Sequence, residues 1–220
     1  MRRLPLVLVL LLVPVLIAVP SSAQIMRRGS LGIAPPNVWV SGGASLAQGW
    51  SVTDGSTRSR WDFGDATQYQ VSVEKALSGA SVGLRGTTSL ASLRYAGFTA
   101  SGAPITTDAD ANVSQLLALV HVAGGQGFHS VLELDAGATL YSNFRSHVSG
   151  EKLVPASDPD FTFSFGYGFG YGFSNRFAVE VVQDVTTLLH QHAGLGGGDP
   201  TSVRMHSTRL VGRVGLGERW

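Results

Sequence analysis

The chain contains no cysteine, which excludes both a lipoprotein anchor and a disulfide framework. Charge is scarce too. Asp, Glu, Lys and Arg make up 14% of the residues, against about 25% in a typical soluble domain. Lys75 and Lys152 are the only lysines. After residue 23 there is no run of 18 apolar residues, so the rest of the chain is not a helical membrane protein. Nor is there a basic excess. Leaving out Arg2 and Arg3, the chain carries 14 basic against 15 acidic residues, and no nucleic-acid partner is expected from that balance.

What the chain does have begins with an export leader. Arg2 and Arg3 precede an apolar stretch over 4–19, and Ser21-Ser22-Ala23 supplies a small-residue cleavage site. The apolar stretch falls short of the roughly 20 residues a spanning helix needs, and Pro5 and Pro14 interrupt it. Residues 1–23 are therefore expected to be a signal peptide. Residues 24–37, with Arg27, Arg28 and Pro35-Pro36, read as a short extended lead, and 38–220 as one domain.

The most informative stretch is 161–173, FTFSFGYGFGYGF. Phe161, Phe163, Phe165, Tyr167, Phe169, Tyr171 and Phe173 alternate without a break with Thr162, Ser164 and four glycines. A period of two sets every ring on one face of a β-strand and every small residue on the other. A soluble barrel would set rings inward and charge outward, but the opposite face here is only Thr, Ser and Gly. Rings toward lipid and small residues toward a crowded interior fit a transmembrane strand.

Seven further segments alternate similarly: 38–50, 61–75, 81–95, 113–122, 128–143, 177–187 and 202–220. The register of 113–122 is ambiguous, because it is apolar on both faces. Connections are long after the first, third, fifth and seventh strands and short after the others. The expected fold is all-β: an eight-stranded antiparallel up-and-down transmembrane β-barrel, closed so that no strand edge is exposed. Trp39, Trp50, Trp61 and Trp220 are expected in the interfacial girdles. Short turns and both termini are expected on the periplasmic side of an outer membrane, with the long loops outside.

With its leader, its eight strands and its terminal aromatic, the chain resembles the small outer-membrane barrels of the OmpA/OmpX type. The segment 210–220, LVGRVGLGERW, is similar to the C-terminal signal read by the outer-membrane assembly machinery. Leu210, Val214, Leu216 and Trp220 carry that likeness. The resemblance implies a monomer that meets outer-membrane lipid and lipopolysaccharide, needs no cofactor, and works through loops whose ligand no motif names.

Strand parity turns Glu74, Arg85, Glu133, Asp135, Glu180, Asp184, Arg209 and Arg213 toward the interior. Charges at membrane depth persist when they pair or meet water. A network that plugs and stiffens the barrel is the expected role, and a narrow selective channel is the alternative. His190, His192 and His206 fall near the rim, where no spacing completes a metal site, so they are read as loop histidines. His147-Val148-Ser149 has the H-x-S spacing of outer-membrane lipid A deacylases, and with Glu151, Asp158 or Asp160 it offers an acyl-ester hydrolase as a rival reading. Against it, unbroken parity points His147 and Ser149 inward, away from an acyl chain arriving from the membrane.

Overall fold

The computed structural model describes residues 35–55, 57–153, 159–190 and 201–218. The expected signal peptide over 1–23, His192, Asp158 and Trp220 lie outside the described residues. Ten β segments succeed one another: β1 (Val38–Ala47), β2 (Ser51–Asp54), β3 (Ser59–Phe63), β4 (Ala66–Ala76), β5 (Ser81–Phe98), β6 (Pro104–Ala123), β7 (Gly127–Ser146), β8 (Asp160–Ser174), β9 (Phe177–His190) and β10 (Thr201–Leu216). They make eight barrel strands, because β2 continues β1 past a kink and β3 leads into β4. Every pairing is antiparallel. Closure comes from β1 on β10, running from Val38 opposite Leu216 to Ala47 opposite Ser207.

On β8 the alternation of the sequence becomes geometry. All seven rings point outward, between 39% exposed at Phe165 and 61% at Phe173. Asp160, Thr162 and Ser164 point inward and are buried. The inward glycines are there because the space beside them is taken. A methyl group added at Gly168 would lie 2.0 Å from the Val181 carbonyl oxygen, and one at Gly166 would lie 2.7 Å from Asp184 Oδ1. Gly168→Leu is therefore expected to block assembly by overpacking. Phe169→Arg is expected to impair insertion, since an arginine on the lipid face costs about 2–4 kcal/mol at the bilayer midplane. The heat-dependent gel shift of each variant checks both, and normal assembly of Phe169→Arg would invert the facing.

Three irregularities change the picture near the loop end. Inward positions run Ser41, Ser45 and Ala47 along β1, then Trp50, Val52 and Asp54 after Gln48-Gly49. They run Ser59, Trp61 and Phe63 along β3, then Ala66, Gln68 and Gln70 after Gly64-Asp65. On β7 Tyr141 is inward, and so are Phe144 and Ser146 beyond Asn143, which has a positive φ of 63°. The ladder to β6 shifts at that point. Each extra residue reverses which parity faces in, as a β-bulge does. The first two breaks are tied together, with the Gly49 amide donating to Asp65 Oδ1 at 2.8 Å and the Phe63 amide to the Trp50 carbonyl at 2.8 Å.

These reversals correct the tryptophan assignment. Trp50 and Trp61 lie inside the barrel, at 4% and 0% exposure, and Phe63 is inside with them. Trp39 also faces in, beneath the Arg213 guanidinium. The long loop expected after the third strand is corrected as well: β5 and β6 run on as a paired ladder to Phe98 opposite Pro104. There Ala109, Ala111 and Val113 face in while Asp108, Asp110 and Asn112 face out. The wall rises past its apolar band, and its outer face turns polar.

Candidate functional site: the filled lumen

The interior is built in three layers. Nearest the short turns lies a charge network. Arg213 Nη1 donates to Glu180 Oε1 at 3.2 Å, and its Nη2 donates to Glu74 and to Ser81 Oγ. Its guanidinium carbon sits 5.0 Å from the centre of the Trp39 ring, a cation–π contact. One level up, Arg209 grips Asp184 bidentately, Nε to Oδ2 at 2.7 Å and Nη2 to Oδ1 at 3.1 Å, and also reaches Glu133. Arg85 bridges Glu133, at 3.0 Å, and Asp135. All eight residues that strand parity turned inward are buried within this one cluster. The fork of each guanidinium lets a single side chain serve two carboxylates on different strands, which an ammonium holds less rigidly.

Two members were not legible as such. His121 of β6 packs against Glu133, Nδ1 to Oε1 at 2.7 Å, and faces Glu180 at 3.5 Å. His129 of β7 faces Glu180 from the other side at 3.8 Å. The 116–120 run LLALV hides the parity of His121, and only the ladder from Val82 opposite Val120 fixes it.

The middle layer is polar and uncharged. Gln115 links Thr87 at 3.1 Å to Thr139 at 3.0 Å, Thr139 meets Thr162 at 2.6 Å, and Ser164 meets Thr186 at 2.9 Å. A cavity of about 20 Å³ bounded by Gln70, Arg85, Asp135, Asp184 and Arg209 lies against it, room for about one water molecule.

The layer nearest the loop end is an apolar plug. Trp50 stacks on Phe63 at 4.5 Å, and Trp61 packs on Tyr141 at 5.4 Å and Phe144 at 5.0 Å. Leu188, Val203 and Met205 fill the remaining side of this cluster. One polar staple crosses it. His190 Nδ1 pairs with Asp160 Oδ1 at 2.8 Å, and its Nε2 lies 3.7 Å from Asp54 Oδ1. His190 is thus a buried core histidine and not a loop residue. His206 is exposed.

The H-x-S constellation does not come together. The reversal at Asn143 carries His147 outward, where its Nε2 pairs with Asp110 Oδ2 at 2.7 Å. Ser149 Oγ instead accepts the Glu151 amide at 3.2 Å, within the turn. Asp160 is buried on the His190 staple.

The sequence matches no protein-family model and no curated protein. The architecture does match solved structures. Neisserial surface protein A superposes with a TM-score of 0.56 at 9% identity, covering 84% of this chain and 100% of that one. OprG from Pseudomonas aeruginosa aligns at a TM-score of 0.45 and 11% identity over 84% and 95% of the two chains, and Ail of Yersinia pestis at 0.44 and 13% over 82% and 98%. This chain has the closed, eight-stranded, antiparallel fold of the small outer-membrane β-barrel proteins, here with an apolar outer band and a charged, filled interior.

Proposed function

We propose that the protein is a non-enzymatic barrel of the bacterial outer membrane that serves membrane integrity or surface interaction through its outer wall and loop end. The observation that carries this reading is the lumen, occupied from the short turns to the loop end by charge, hydroxyl and aromatic layers. Among the described residues an interior so filled leaves no open path for a solute, so the working surfaces are the outside ones. The export leader and the outward aromatics support placement in the outer membrane, with the short turns toward the periplasm and lipopolysaccharide around the upper wall. The alternating 210–216 segment, LVGRVGL, supports delivery by the outer-membrane assembly machinery.

The rival enzymatic reading needs Ser149 on His147, and that pair is not made. Lipid A from cells with and without the protein, compared by mass spectrometry, is the test. An unchanged acylation pattern is expected. Loss of an acyl chain that is restored on Ser149→Ala would replace this reading with a deacylase.

A further inference from the structure

The geometry points to a site for the phosphate of lipid A on the outer wall of β9 and β10, built around Arg204 and His206. The ladder ties both to the aromatic stripe of β8. Phe163, Thr187 and Arg204 share one row, and Phe165, Val185 and His206 share another nearer the turns. Both basic side chains are exposed, as are Ser202 and Thr208 on the same face. Thr208 Oγ1 donates to Gln183 Oε1 at 2.6 Å, which leaves the Gln183 amide hydrogens as further outward donors. Polar groups turned toward hydrocarbon are costly unless something meets them. A face of donors calls for an acceptor.

The wall itself does not supply one. Along β8, β9, β10 and β1 no acidic residue faces out: Asp160, Glu180 and Asp184 are all buried inside. Asp65, across β1, is taken by the Gly49 amide. Neither Arg204 nor His206 has an ion pair among the described residues. The wall of β3, β5, β6 and β7 is arranged otherwise. Arg60 Nε meets Asp62 Oδ1 at 3.0 Å, and Arg94 stands opposite Asp62 on one side and Asp108 on the other. Asp110 stands opposite Arg145 and holds His147 at 2.7 Å. Each of those cations has a carboxylate beside it, so the contrast is between two halves of one rim. The strand edge is also open at Arg204. Pairing with β1 ends at Ala47 opposite Ser207, and 201–205 pairs with β9 alone among the described residues.

Lipid A carries phosphate directly above its acyl chains, and this face offers a place for each. The Arg204 guanidinium presents a fork to two phosphate oxygens, and His206 has an N–H donor in either protonation state. Phe161, Phe163 and Leu189 are exposed beside them as an apolar wall for the chains. A second copy of the chain fits poorly. A two-fold axis along the membrane normal and centred on this face would set Arg204 against its own copy, with no acidic residue to meet it. The site rests on the proposed outer-membrane placement, yet the two fail separately: a folded barrel recovered in the inner-membrane fraction would sink the placement, whereas lipid binding decides the site.

The test is native mass spectrometry of the protein in detergent free of lipopolysaccharide, titrated with bisphosphorylated lipid A and with the same lipid stripped of its phosphates. The phosphorylated form is expected to bind roughly tenfold more tightly, the scale of a hydrogen bond to a charged group, and millimolar inorganic phosphate should not displace it. Arg204→Gln combined with His206→Gln is expected to abolish the preference, while Arg94→Gln keeps it. These side chains are all exposed, and the heat-dependent gel shift checks that each variant folds. Equal binding of the two lipids by the parent overturns the site without recourse to any variant. An unchanged preference in the double variant overturns it too, as does an equal loss in Arg94→Gln, which would make the attraction a general effect of charge. Displacement by inorganic phosphate would make this a site for the free anion and overturn the lipid assignment. A dimer of the parent that the double variant dissociates would make the face an interface between copies, which also overturns it.

Discussion

Arg209→Ala is expected to lower unfolding stability by about 3–5 kcal/mol, the range for removing one partner of a buried ion pair. Arg209 is 4% exposed and holds Asp184 and Glu133, themselves 5% exposed. Truncation leaves both carboxylates desolvated, with Arg85 and His121 to serve Glu133 and, among the described residues, only Ser207 Oγ, at 3.4 Å, beside Asp184. The internal control is on the same strand: Arg204 is exposed on the outer face of β10, and Arg204→Ala should change stability by no more than about 0.5 kcal/mol. Urea titration in micelles, followed by gel shift and tryptophan fluorescence, measures both. Equal effects at the two positions would mean that the lumen is hydrated and the network weakly coupled.

The second large effect belongs to the plug. Trp61 is fully buried among Tyr141, Phe144 and His190, and its Nε1 donates to Ser59 Oγ at 2.7 Å. Trp61→Ala is expected to cost about 3–5 kcal/mol, the lost transfer energy plus the cavity that rigid barrel walls cannot collapse into. A tryptophan at a lipid interface would lose far less, so this variant also measures the corrected placement. Trp61→Phe, which keeps most of the ring contact, should recover the greater part. The same urea titration applies, and a loss under about 1 kcal/mol for Trp61→Ala would return the residue to the surface.

How much of this was legible depended on whether a strand carries its own register. From Phe161 to Phe173 the alternation is unbroken and needs no neighbour to interpret it. The eight inward charges on β4, β5, β7, β9 and β10 come from parity alone, because each lies in a regular run. Parity fails where a residue is inserted. Gln48-Gly49, Gly64-Asp65 and Asn143 each reverse the facing of the residues beyond them, and only the partner strand reveals the reversal. Trp50 and Trp61 were misplaced for that reason, as was the expected facing of His147. The wall over 104–112 hid for a different reason: above the apolar band a strand's outer face is polar, so it reads as a loop. His121 was missed because a run apolar on both faces has no parity to read.

Ionic current through the protein in a planar lipid bilayer tests the central claim of a filled lumen most directly. No steady conductance is expected from the parent beyond brief, small openings. The same is expected from Trp61→Ala, since the charge network beneath the plug closes the barrel independently. A steady current whose ion preference shifts on Glu133→Gln would contradict the filled lumen, making the protein a selective channel with these carboxylates as its filter.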